Sequence, residues 1–439
     1  MERYNEYKAT SIQWLVEIPS HWEERRYKYC LHTVKSKSNL PYKVGLENIE
    51  SYSGRYIPTE VRYDGDGVDA KKGDILYGKL RPYLAKVWIA ELPCNAVGDF
   101  FVYRCNEEYI LRQYAKWLML SDGFTKLCSA STYGAKMPRV SANFIDSIFI
   151  PLPSIKEQEK IVSYIESKTS KIDEYIAEKE KEVQLLNELK EAEIAKVVTQ
   201  GLNPNVKMKD SGISWIGMIP EHWEVKRIAS LFTGKVNTNS DFAYQHAFKF
   251  YYGTLVPKDE VGDAEEYKET YVKYQVIQKD DILINGLNLN YDFVSQRVAI
   301  APSDGIITSA YIVARPRKGT NADYYNYLFK AMDSKKLFHG MGTGIRLTLS
   351  FDELKKQIVV CPPIEEQQAI VTYINDKTAK VESLITDLQA EIEHLKEYKQ
   401  RLIADCVTGQ VNVAGSESRG GLLTMPSQSN VTKSNVQNE

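Results

Sequence analysis

No stretch of this 439-residue sequence approaches the roughly 18 consecutive apolar residues that a membrane-spanning helix needs, which argues against an integral helical membrane protein. Cysteine is scarce: Cys30, Cys94, Cys105, Cys128, Cys361 and Cys406 are scattered with no Cys-x-x-Cys pair. That excludes a zinc ribbon or finger and suits reduced cytosolic thiols. The six histidines (His21, His32, His222, His246, His339 and His394) show no metal-ligand spacing. The first fifteen residues lack a basic region, an apolar core and a small-residue cleavage site, so no export is expected and the expected location is the cytoplasm. A Gly-rich cofactor loop after a strand is missing, and so is an Asn-Pro-Pro-aromatic motif, since Asn203-Pro204 is followed by Asn205. Both absences count against a methyltransferase. The Gly340, Gly342, Gly344 run opens no long helix, and reads as a flexible loop approaching a ligand backbone rather than a phosphate cradle. Glu188 and Lys190 resemble a nuclease fragment, but a helix rich in Glu and Lys generates that spacing by chance. No catalytic residue and no metal site is assigned.

Net charge is also small, at −2, which looks discouraging for a nucleic-acid binder. The average conceals a partition. Residues 1–153 carry 21 basic and 18 acidic groups, residues 203–363 carry 20 and 18, while 154–202 carry 8 and 11, and 364–410 carry 5 and 9. Two mildly basic blocks alternate with two acidic ones.

What is present is an internal repeat, the feature to seek first because it sets the whole architecture. IQWLVEIPSHWE at residues 12–23 matches ISWIGMIPEHWE at 213–224 in seven of twelve positions. KKGDIL at 71–76 corresponds to QKDDIL at 278–283, and Thr132-Tyr133-Gly134-Ala135-Lys136 to Gly342-Thr343-Gly344-Ile345-Arg346. EQEKIVSYIESKT at 157–169 matches EQQAIVTYINDKT at 366–378 in eight of thirteen. The recurrence of His21 and His222 within Pro-x-His-Trp argues for a packing role.

Each copy ends in a long helical signal. Ile374, Val381, Leu388, Leu395 and Leu402 fall seven apart, with Thr378, Ile385 and Ile392 as the companion row. The first copy has Ile165, Ile172 and Leu186 in one row, Thr169, Ile176 and Val183 in the other, and Lys179, Lys190 and Glu193 as interruptions. Prolines precede both helices, and Gly201 and Gly409 stop them. About 45 residues make a rod of roughly 65 Å. Two rods of matched length are expected to pair antiparallel, holding two blocks apart about an approximate two-fold axis. The plainer alternative, two amphipathic helices lying on their own blocks, fits a seam this narrow and long less well.

The blocks read as mainly β with short helices. Strand-like runs lie at 74–76, 84–90, 100–104, 147–151, 281–284, 294–301, 310–315 and 357–361, with helices at 108–121 and 322–333. The fold class is therefore α+β: two mainly-β blocks, each followed by a long helix, with the helices forming an antiparallel coiled coil. Expected boundaries are 1–153, 154–202, 203–363 and 364–410, followed by 411–439, which has five Ser, four Asn and no aromatic among 29 residues and is expected to be disordered. Candidate recognition residues cluster on glycine-bearing loops: Lys79, Arg81 and Tyr83; Tyr133, Lys136 and Arg139; Asn288, Asn290 and Tyr291; and Thr343 and Arg346. Arg, Lys, Asn and Tyr on such loops suit base-edge and phosphate contacts, with a phosphate expected for Arg139 and a base edge for Lys136. Any single one of them is more often an ordinary solvated hairpin residue.

These features resemble the specificity subunits of type I restriction-modification systems, over nearly the whole chain from Trp14 to Gln410. The resemblance rests on the Trp-x-x-x-Ile-Pro-x-x-Trp openings at Trp14 and Trp215, Gly73-Asp74-Ile75-Leu76, and Gly134 with Pro138. It rests also on Pro151-Leu152-Pro153 before Glu157-Gln158, echoed by Pro362-Pro363 before Glu366-Gln367. The second copy departs from it in Asp280, where glycine is usual, and in Leu347-Thr348 after Gly344, where proline is absent. It implies a non-catalytic DNA-reading subunit with two target-recognition domains, each reading half of a bipartite double-stranded target. Its helices would act as spacer and as dock for two adenine methyltransferase subunits that bind S-adenosylmethionine, and motor-nuclease subunits using ATP and Mg would join for cleavage. The alternatives are a subunit of a methylation-only system, a coiled-coil scaffold without a DNA role, and an enzyme in its own right.

Overall fold

The computed structural model describes residues 2–413 except 62, 235, 259–263 and 345–346. Arg346 and residues 414–439 of the expected disordered tail therefore lie outside the described residues. The chain divides into two compact units, Met1–Lys179 with Ala390–Glu439, and Glu180–Gln389. The units cut across the linear order of blocks because each closes on the start of one long helix and the end of the other.

In the first unit the chain enters through a hairpin, Tyr7–Ala9 against Glu17–Pro19, and then a two-stranded neck, Glu23–Arg26 antiparallel to Phe149–Leu152. Between the neck strands lies a four-stranded antiparallel sheet ordered Leu31–Val34, Phe100–Cys105, Ile75–Gly78, Val87–Ile89. A second sheet runs Lys37–Ser38, Gly67–Ala70, Cys94–Ala96, Lys43–Val44, its last pair parallel. Ala70, Leu76, Trp88, Ala96 and Val102 close the core they share. Arg112–Leu120 forms the helix expected at 108–121, while the helix Asp122–Ala130 was not anticipated.

The second unit repeats this plan. Met208–Asp210 pairs with Met218–Pro220, the neck is Glu224–Arg227 with Ile358–Cys361, and the sheet runs Phe232–Thr233, Ile312–Pro316, Ile282–Ile284, Val298–Ile300. Its helix, Ala322–Ser334, is N-capped by Asn321, whose side-chain oxygen accepts from Tyr324 N at 3.0 Å. The expected strands at 84–90 and 294–301 are shorter in fact. Residues 82–84 form a 3-10 turn, and 294–297 belong to a loop.

The repeated motifs meet at one node in each unit. Trp22 is fully buried and its Nε1 donates to Glu157 at 3.0 Å, in the first turn of the long helix Ile155–Gln200. Tyr4 also donates to Glu157, and His21 Nε2 lies 3.1 Å from it. In the second unit, Trp223 Nε1 and His222 Nε2 reach Glu366 at 3.0 and 2.8 Å in the first turn of Ile364–Val407. A carboxylate belongs there because a helix N-terminus offers unpaired N–H groups and a positive dipole end. The neighbouring glutamines, Gln158 and Gln367, are buried and accept from Leu111 N and Asn321 N, fastening the short helices to the long ones. The histidines thus tie the node from its exposed rim.

Each node also receives the other helix's end. Gly409, at φ +73°, lies against Pro19 and Trp22, and Gly201, at φ +77°, against Trp223 and Glu366. Within the first unit Asp173 and Tyr175 pair with Lys399 and Glu391; within the second, Lys190 and Glu193 pair with Glu382 and Tyr373. Numbers rising on one helix meet falling numbers on the other, so the pairing is antiparallel, as the heptads imply. Ile385, Leu388, Ile392, Leu395 and Leu402 are buried in the seam. The interruptions have a reason: Lys179 and Lys190 reach Glu391 and Glu382 at 3.9 and 3.4 Å. Lys190 and Lys399 continue the companion rows of their helices, each meeting an acid of the opposite helix, and such polar seam pairs specify register.

Candidate nucleic-acid interface

Four loops that stand apart in sequence come together as two pairs, one in each unit. In the first, residues 133–139 form a hairpin closed by Tyr133 N to Arg139 O and Arg139 N to Tyr133 O, both 3.0 Å. Gly134 at its tip has φ +89°, a conformation that favours glycine. The hairpin is bonded to residues 79–83 through Arg81 N to Pro138 O (2.8 Å) and Val140 N to Lys79 O (3.1 Å). In the second unit Thr343 and Thr348 close a hairpin by the same reciprocal bonds, and Gly344 has φ +76°. It joins residues 286–291 through Leu289 N to Leu347 O and Leu349 N to Gly286 O.

Each pair is fixed from beneath by charge. Asp99 accepts a fork from Arg139, Nε at 3.0 Å and Nη2 at 2.9 Å, its backbone oxygen accepts from Lys79 N, and Lys79 Nζ stands 3.8 Å away. Those hydrogen bonds from Arg139 hold the Asp99 carboxyl below its ordinary range. In the second unit Arg297 is wholly buried and donates to the backbone oxygens of Asn285, Leu287 and Asp292.

Residues 15–185 and 220–394 each match the type I restriction modification DNA specificity domain. The chain belongs to that family. Among its relatives is the Type I restriction enzyme MjaVIII specificity subunit of Methanocaldococcus jannaschii, 24% identical over 94% of this chain and 98% of that one. The fold is shared with a chain solved in a study of complex assembly and conformational transition of the type I R-M system, at TM-score 0.67 and 18% identity over 90% of this chain and 99% of that one. It is also shared with the HsdS subunit from Thermoanaerobacter tengcongensis, at TM-score 0.50 and 19% identity over 90% and 98%.

The two specificity domains present different chemistry at matching places. On the first, Tyr133 is 61% exposed, Lys136 stands at the exposed tip of the hairpin, and Tyr83 and Arg81 are exposed beside it. On the second, Asn288 and Thr343 are exposed, Asn290 is half-buried, and Tyr291 is 76% exposed. Arg346 is not among the described residues. The departures noted in the sequence leave the geometry intact: Asp280 takes φ +71° where Gly73 takes +91°, and the Thr343–Thr348 hairpin closes without proline. Among the described residues no group of His, Cys, Asp and Glu is placed to hold a metal ion. No helix of the described residues is long and apolar enough to cross a membrane.

Sequence reasoning missed Asp99 and Arg297, and with them Phe293 and Val294, which are exposed on the loop Arg297 holds. Phe293 stacks on His339 at 4.6 Å between ring centroids. The nearest signal was the Asp-Phe-Val-Ser sequence after Tyr291, where Asp292 forms a tight turn. Backbone and then side-chain hydrogen bonds from Ser295, with a further backbone bond from Val294 and the charge of Arg297, lower the Asp292 carboxyl to about 2. A depressed acid stabilises the fold above its unfolded value near 3.9, and that contribution is lost as pH falls through the folded value. The loop is therefore expected to stay ordered at neutral pH and to loosen between about pH 4 and pH 2. Carboxyl chemical shifts of Asp292 check this, and a midpoint near 4 would contradict it.

Proposed function

We propose that each specificity domain reads one half of a bipartite double-stranded DNA target, and that the paired helices hold the two readings at a set spacing. The observation that carries this is the duplication itself: the nodes, necks and central sheets recur in both units, while the side chains on the paired loops differ. One scaffold bearing two different reading surfaces suits two different half-sequences. The near-neutral charge fits a subunit whose partners supply phosphate contacts. We assign the chain recognition without catalysis. In that reading S-adenosylmethionine belongs to adenine methyltransferase subunits docked on the helices, ATP and Mg belong to motor-nuclease subunits, and the complex works in the cytoplasm. Lys79, Arg81, Tyr83, Tyr133, Lys136 and Arg139 of the first unit, and Asn288, Asn290, Tyr291, Thr343 and Arg346 of the second, are the proposed contacts.

The test is methylation. The purified chain with S-adenosylmethionine and DNA is expected to transfer no methyl group. Adding its methyltransferase partner is expected to yield adenine methylation at one bipartite sequence, read by mapping methylated adenines. Methyl transfer by the chain alone would overturn the non-catalytic assignment.

A further inference from the structure

Among the described residues three Arg–Asp forks lie in the two units, and they are not alike. Arg104 grips Asp74 at 2.8 and 2.7 Å, and Arg315 grips Asp281 at 2.9 and 2.7 Å. Those aspartates belong to the duplicated Asp-Ile-Leu segment and are buried, so the pair recurs in both copies as part of the sheet. The third fork, Arg139 on Asp99, has no counterpart among the described residues of the second unit. Leu76 faces Val102 in the first sheet as Leu283 faces Val313 in the second, which aligns Asp99 with Ala310. Thr348 closes the second hairpin where Arg139 closes the first. A pair kept in both copies serves the scaffold they share, whereas one found in a single copy serves what differs between them.

We propose that Arg139, oriented by Asp99, reads a guanine in the first half-site. This rests on the reading of the first domain as a DNA-binding module. Asp99 engages Nε and one N–H of Nη2, and Nη1 makes no hydrogen bond among the described residues. That leaves one N–H of Nη1 and the second N–H of Nη2 as a parallel pair on the far side of a planar group whose orientation is already set. Side-chain exposure is 33%, on a hairpin whose tip is solvated. A planar pair of donors matches O6 and N7 of guanine in the major groove. A phosphate fits less well. The Asp99 carboxylate, which Lys79 also faces at 3.8 Å, offsets part of the positive charge there and holds the guanidinium in one orientation, and the neutral acceptors of a base edge ask for that direction rather than for charge. Lys136, a cation at the open tip, is the better phosphate ligand. On this proposal Arg139 takes the base and Lys136 the phosphate, the reverse of the roles expected from the sequence.

The full chain, assembled with its methyltransferase partner, is tested on DNA with randomised half-sites. Methylated products are sequenced, and binding is titrated against salt. Arg139→Lys keeps a cation and loses the fork. It is expected to relax discrimination at a single base pair of the first half-site roughly 10- to 100-fold, leaving the second half-site and the salt slope unchanged. Asp99→Asn is expected to relax the same position, because the fork loses its orienting charge. Arg104→Lys, which alters a scaffold fork, is expected to leave every position's selectivity in place. A uniform loss over all sequences with a salt slope smaller by about one would show a phosphate contact and overturn the proposal. Equal weakening of every position in the first half-site would show a hairpin clasp and overturn it too, as would unchanged selectivity. If the unaltered complex showed no sequence preference at either half, the DNA-reading assignment itself would fall, a result distinct from any of these.

Discussion

Exchange of residues 228–357 for the matching block of a relative is expected to replace the second half of the methylated sequence and leave the first half untouched. The neck sets these limits. Glu224–Arg227 and Ile358–Cys361 are paired residue for residue, so the chain leaves the scaffold and returns to it at adjacent points, and a new block can be inserted without moving either strand. The Trp223–Glu366 node lies outside the exchanged segment and stays whole. One condition applies. Tyr324, Tyr325, Leu328 and Phe329 share a core with Val198, Ile370 and Ile374, and Tyr324 donates to Val198 O at 2.6 Å. A donor block must therefore bring an equivalent helix face and a capping residue at Asn321. With that met, selectivity for the old half-site should fall by about 10³ or more, the scale separating specific from non-specific binding. Mapping methylated adenines reads the result. A change in both halves would show that the two readings are not separable.

Trp22→Ala is expected to lower the stability of the first unit by about 3 to 5 kcal/mol, the usual range for removing a fully buried large aromatic. The loss has three parts. The ring leaves a cavity, Glu157 loses its donor Nε1, and Gly409 loses the surface on which the second long helix ends. Trp22→Phe should cost less, about 1 to 3 kcal/mol, because most of the ring volume remains while the Glu157 oxygen loses one partner. Chemical denaturation followed by hydrogen exchange at residues 155–165 checks both. A loss below about 1 kcal/mol for the alanine variant would show that the node is not what anchors the helix.

Much of this architecture was legible from short windows. Heptad rows, proline starts, glycine stops and the repeated Trp-Pro-His-Trp segment each depend on spacing within a few turns of chain, and the structure reproduces them as two long helices and two nodes. The Lys179 and Lys190 interruptions were legible too, though their reason was not. Each breaks the apolar row in order to meet an acid on the other helix, and a partner near residue 382 or 391 cannot be found from the row itself. The short strands at Lys37–Ser38 and Lys43–Val44 left no alternation long enough to recognise.

The loops mark the boundary more sharply. Composition nominated four of them, and their joining into two pairs depends on strand order, which alternation does not encode. Asp99 and Arg139 are separated by forty residues and look like two ordinary surface charges in the sequence. They meet because Phe100–Cys105 lies beside Ile75–Gly78, carrying Asp99 under Lys79 and beneath the hairpin. By itself the sequence determined the duplication, the helices and the apolar faces, since those follow from the period of a backbone that each residue shares with its neighbours. Which charges are bound and which remain open was decided only by the tertiary structure, because a hydrogen bond between distant residues exists only once the sheet has closed.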